Sequence, residues 1–80
     1  MQIEVRLFAL LSRYLPSGSV GDGVTLDVPE GTTVENVIER LKIPDDLSCI
    51  TVVNGHDAPS SQVLVPGDVL SMFPPLAGGN

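Results

Sequence analysis

One amphipathic stripe constrains this chain more than any other feature. Val34, Val37, Ile38 and Leu41 recur at i, i+3, i+4 and i+7, while Glu35, Glu39, Arg40 and Lys42 fall on the other side. The strongest apolar runs before and after this stripe alternate or are β-branched, as strands are. A single main helix must therefore bury its stripe on one face of a sheet, which predicts an α+β fold.

The strands follow from the same patterning. Met1, Ile3, Val5 and Leu7 alternate with Gln2, Glu4 and Arg6, marking a half-buried first strand. Phe8 falls on the polar side of that alternation, and Leu7, Leu11 and Tyr14 then take helical spacing before Pro16, so a short extra helix follows. The stretch from Pro16 to Gly23 is rich in glycine and serine and reads as a loop, the most mobile part of the body. Val24, Leu26 and Val28 form a second strand ending in the turn Pro29-Glu30-Gly31. Thr32 and Glu35 fit a capping box at the start of the main helix, and Pro44 is expected to close it.

Cys49 to Val53 is a third strand ending at Asn54-Gly55, a strong hairpin signal because both residues tolerate positive φ. Val63 to Val65 is expected as the short return strand, and Pro66-Gly67 turns the chain into a last strand from Asp68 to Phe73. Pro74-Pro75 stops pairing, since neither proline can donate to a ladder. The expected organisation is one domain over residues 1–75 and a flexible tail over 76–80, with about five strands in a mixed sheet.

Composition excludes several functions. Ten acidic against four basic residues give a formal charge of −6, the wrong sign for neutralising a phosphate backbone, so nucleic acid is not an expected partner. One cysteine, Cys49, makes no internal disulfide and no four-thiolate cluster, and His56 has no second soft ligand, so no metal site is expected. No apolar run reaches the ~20 residues of a membrane span, and Met1-Gln2-Ile3-Glu4 lacks a basic leader, which reads as a soluble, cytoplasmic chain.

Catalytic sets are missing too. Asp45-Asp46 reads as a solvated turn, His56 as a solvent-facing residue after a hairpin, and Cys49 as a small core residue. The body carries no catalytic residues of its own. The tail is different: Phe73-Pro74-Pro75-Leu76-Ala77 is apolar and leads to Gly78-Gly79, so the chain ends with little side-chain bulk. Prolines favour an extended exit, and glycines let backbone lie against a narrow channel of another protein.

With these residues in view, the ending from Gly67 to Gly79 resembles that of the ubiquitin-like sulfur carriers, the MoaD/ThiS family. The likeness spans the chain, through Leu7-Phe8-Ala9, the helix start Gly31-Thr32-Thr33-Val34, the Val53-Asn54-Gly55 hairpin and the Gly67-Asp68 turn. Leu7-Phe8-Ala9 and the extra short helix are more similar to the small subunit of molybdopterin synthase than to the shorter thiazole-pathway carrier.

The resemblance implies a β-grasp fold and a carrier that binds no cofactor itself. Its Gly79 carboxylate would be adenylated with ATP by a ubiquitin-activating-like enzyme and converted to a thiocarboxylate, with Gly78 beside it. The large subunit of molybdopterin synthase would receive the tail and hold the pterin precursor. Phe8, Phe73, Pro74, Pro75, Leu76 and Ala77 would bind the partners, Phe8 and Phe73 as aromatic anchors unless the core takes them. The family pattern ends at the second glycine, whereas this chain continues to Asn80, so a processing protease is expected to remove Asn80. Three readings stay open beside it: a carrier for thiamine or amino-acid synthesis, a ubiquitin-like modifier, and a β-grasp interaction module with an idle tail.

Overall fold

The computed structural model describes residues 1–44, 47 and 49–75. Its elements are strand β1 (Gln2–Leu7), a 3-10 helix (Ala9–Tyr14), β2 (Gly23–Asp27), helix α1 (Val34–Arg40), β3 (Ile50–Val53), β4 (His56–Asp57) and β5 (Val69–Phe73). The five strands form one sheet in the order β2-β1-β5-β3-β4. The two terminal strands lie side by side and parallel at its centre, with Leu7 opposite Met72, while the other pairings are antiparallel. This is the expected α+β arrangement with one main helix.

Alternation sorts the two faces of the sheet. Ile3, Val5 and Leu7 of β1 and Leu70 and Met72 of β5 are almost wholly buried and share one core with Val34 and Val37 of α1. Leu11 and Leu64 join that core from the 3-10 helix and from the segment before β5. Gln2 and Arg6 point the other way and are exposed, so the helix covers only the inner face.

Three expectations about the helix and its neighbours are corrected. The N-cap is Thr33, not Thr32, and the reciprocal partner is Asn36, not Glu35: Asn36 N–H donates to Thr33 Oγ1 at 3.2 Å and Thr33 N–H to Asn36 Oδ1 at 3.0 Å. Thr32 is instead buried in the turn before the helix, where its hydroxyl donates to Pro29 O at 2.7 Å.

The helix also stops before Pro44. Lys42 takes φ +62°, its N–H bonds Glu39 O, and Ile43 N–H bonds Ile38 O, the paired bonds of a Schellman ending. A left-handed residue, and not proline, turns the chain out of the helix.

The strand after the Asn54-Gly55 turn is His56–Asp57, and Val63 to Val65 is not a sheet strand. The residues just before it, Ser60 and Gln62, cap the helix, and Val63 makes an isolated antiparallel bridge to Thr33. Val34 N–H donates to Gln62 O and Glu35 N–H to Ser60 O, while Leu64 N–H donates to Thr32 O. Backbone groups committed to the first turn of α1 are not available to a strand ladder.

Candidate functional site

The tail leaves the body at the end of β5, so the geometry around Phe73 decides what surrounds its exit. In β5 the buried residues are Leu70 and Met72, which puts Val69, Ser71 and Phe73 on the outer face. Phe8 continues the alternation of β1 onto that same face. Its backbone is still extended and its N–H donates to Met72 O at 3.2 Å, so it remains in the ladder as the last strand-like residue. Ala9 then takes φ +54° and turns the chain into the 3-10 helix.

Pairing β1 with β5 brings the two rings together. Phe8 and Phe73 stack with centroids 4.7 Å apart and planes 5° from parallel. Phe73 is 36% exposed and Phe8 half-buried, so neither belongs to the sealed core. Ile50 of β3 lies opposite Phe73 and is 44% exposed, which extends the apolar strip across a third strand. Ile50 was not among the residues expected here. Its outward direction follows from alternation with Thr51, but its meeting with Phe73 depends on a register that local sequence does not contain. Pro74 and Pro75 follow directly, half-buried and exposed respectively.

Leu76, Ala77, Gly78, Gly79 and Asn80 lie outside the described residues, as do Asp45 and Asp46. The remaining candidates are not assembled into a catalytic centre. His56 is exposed in β4. Cys49 packs partly buried against the core, lies just before β3 and donates weakly to Leu47 O. Burial pushes its thiol above the ordinary cysteine value, the opposite of what an attacking thiolate needs. Among the described residues no group of three histidine, cysteine or acidic side chains could hold a metal ion, and no helix is long and apolar enough to cross a membrane.

One polar network underlies the site from the other end of β5. Asp68 is 6% exposed, and its two side-chain oxygens accept from Asn54 Nδ2 at 2.8 Å and Val65 N–H at 2.9 Å. Asn54 Oδ1 accepts from Val69 N–H at 2.9 Å. The β3–β4 turn and the turn before β5 are thereby tied together, which fixes the strand that carries Phe73.

The sequence model of the ThiS family matches residues 5–79, almost the whole chain. The chain belongs to the ThiS family.

Solved structures agree with that assignment. SAMP1 of Haloferax volcanii, a small archaeal modifier protein, is 28% identical, with 99% of this chain and 100% of that one covered at a TM-score of 0.74. A Pyrococcus furiosus protein provisionally assigned as molybdopterin converting factor, subunit 1, is 26% identical over 94% of this chain and 98% of that one, at a TM-score of 0.72. Subunit 1 in a complex of subunits 1 and 2 of molybdopterin-converting factor from Helicobacter pylori shares the fold at 23% identity and a TM-score of 0.62, over 99% of this chain and 100% of that one. No curated protein matches the chain. The ThiS-family chain thus has the ubiquitin-like β-grasp fold, shared by sulfur carriers and small modifiers, and the likeness to both kinds is of similar strength.

Proposed function

We propose that this ThiS-family chain is a sulfur carrier acting as the small subunit of a molybdopterin synthase. Its work is done at the carboxyl of Gly79. A carboxylate is a poor electrophile, so an adenylating enzyme first joins it to the α-phosphate of ATP, releasing pyrophosphate. A sulfur nucleophile then forms a C–S bond to the acyl carbon as the C–O bond to AMP breaks, leaving a thiocarboxylate. The large subunit takes the loaded tail and directs its sulfur to the pterin precursor of the molybdenum or tungsten cofactor.

The observation that carries this reading is the partly exposed Phe8–Phe73 stack, extended by Ile50, at the point where the tail leaves the sheet. An apolar platform there lets a partner grip the body while the tail reaches into its active site. Kinship with the Pyrococcus furiosus protein supports the synthase assignment.

Asn80 stands one residue beyond Gly79. An extended residue adds roughly 3.3–3.6 Å, about the whole reacting distance of 3–3.5 Å. Removal of Asn80 by a protease is therefore part of the proposal.

Likeness to the Haloferax volcanii modifier favours a second reading, in which the same activated carboxyl is transferred to a lysine amine of another protein. The intact mass of the chain purified from its own cells tests the proposal. Loss of Asn80 with one oxygen replaced by sulfur is the expected result; an intact, unmodified chain while the cofactor is being made overturns it. Amide-linked adducts instead of the sulfur exchange establish the second reading.

A further inference from the structure

Asn54 is followed by glycine, whereas Asn36 is followed by valine and Asn80 by nothing. An asparagine before glycine is the one most open to ring closure, because glycine has no Cβ to shield its backbone nitrogen. Both residues are exposed in the β3–β4 turn, so water reaches them. The Asn54 amide is nevertheless held at both ends. Its Nδ2 donates to Asp68 Oδ1 at 2.8 Å, and its Oδ1 accepts from Val69 N–H at 2.9 Å. Cγ, the carbon between them, is fixed toward β5.

We propose that Asn54 is a modification site, converted without an enzyme to aspartate and isoaspartate through a cyclic imide with Gly55, and that Asp68 guards it. The Gly55 backbone nitrogen gives its proton to solvent and forms a bond to Asn54 Cγ. The bond from Cγ to the side-chain nitrogen breaks, and that nitrogen takes up a proton and leaves as ammonia. Water then adds to either ring carbonyl. Breaking the new bond to Cγ leaves aspartate; breaking the original main-chain bond leaves isoaspartate. Nothing is oxidised or reduced.

Ring closure needs Cγ to swing onto the Gly55 nitrogen, which the two bonds to β5 prevent. It therefore waits for the clamp to open, and its rate is set by that local opening. Asp68 is 6% exposed and also accepts from Val65 N–H, so the guard is itself anchored. Either product keeps the clamp from closing again. Aspartate sets a carboxylate against that of Asp68 where an N–H donor stood, and like charges repel. Isoaspartate lengthens the main chain in a tight turn, where Val53 pairs with His56. Both loosen the start of β5, the strand that ends in Phe73.

The test incubates the full chain in mildly alkaline buffer, folded and in urea, beside folded Asp68→Asn, Asp68→Ala and Thr33→Ala. Conversion is read from the amide-to-acid mass change, with a peptide map to place it and to detect isoaspartate, and melts confirm which variants are folded. The unfolded chain is expected to convert at Asn54, and the folded one about tenfold or more slowly. Either Asp68 variant, where folded, should recover most of that difference. Thr33→Ala, which weakens the chain at the helix cap, should stay slow. Asn54→Asp, the simpler product, should melt below the wild type. No conversion at Asn54 in urea, or equal rates folded and unfolded, overturns the proposal. So does a folded Asp68 variant as slow as the wild type, or a Thr33→Ala as fast as the Asp68 variants. An Asn54→Asp melt equal to the wild type overturns the effect on β5.

Discussion

Phe8, the residue after β1, and Phe73, the last residue of β5, stack on the outer face of the sheet although they come from opposite ends of the chain. The pair exists because β1 and β5 are parallel neighbours in register, Leu7 beside Met72. Cutting either ring back removes surface area and not core volume, so Phe8→Ala and Phe73→Ala are each expected to cost only about 1 kcal/mol of stability. Binding to the adenylating enzyme or to the synthase large subunit should fall about tenfold or more. A double-mutant cycle in denaturant should show a coupling of about 0.5–1.5 kcal/mol, the worth of an aromatic pair beyond its area. Equal losses of folding and binding would assign the rings to the core.

Asp68 and Asn54 hold the strand that carries Phe73. Asp68→Asn turns an acceptor into a donor facing Val65 N–H or Asn54 Nδ2 in a nearly closed site, and is expected to cost about 1–3 kcal/mol. Asn54→Gly keeps a residue suited to φ +52° and removes only the side-chain bonds, so it should cost less than Asn54→Ala, which loses both. Urea unfolding of the three variants gives the order directly.

Local patterning was enough for β1, β2, β5 and the buried stripe of α1, because burial on one face imposes a period that the residues themselves display. It failed where two neighbours offered the same chemistry. Thr32 and Thr33 can both cap, and the choice between them is made by the turn at Pro29, which engages the Thr32 hydroxyl, and by the 60–62 segment, which takes the next two N–H groups. Val63 to Val65 read as a strand for a similar reason: β-branched residues favour extended backbone, but which partner that backbone finds is a tertiary matter. The aromatic platform was half legible. Phe8 broke the alternation of β1 and Phe73 preceded the prolines, yet their stacking and the addition of Ile50 depend on strand order, which no local window contains.

The two candidate capping boxes predict different mutants. Thr33→Ala removes the acceptor for Asn36 N–H and is expected to cost about 1 kcal/mol. Glu35→Ala should cost little, since Glu35 is exposed and takes no part in the box. Thermal melts of the two variants separate the possibilities, and a larger loss for Glu35→Ala would restore the box based on Thr32.

Gly79 is the position on which the proposed chemistry turns. If its carboxyl must pass through a channel shaped for bare backbone, a single methyl should be felt there. In a version ending at residue 79, Gly79→Ala is expected to reduce adenylation by a factor of ten or more, about 1.4 kcal/mol or above in the activation step, while the melting temperature stays the same. The full chain ending in Asn80 should behave like the alanine variant when no protease is present, because its carboxyl is carried one residue beyond the reacting atoms. ATP–pyrophosphate exchange with the purified adenylating enzyme measures both. Exchange by Gly79→Ala at the unaltered rate would remove the argument for a tight channel, and exchange by the uncut chain would show that Asn80 need not be removed.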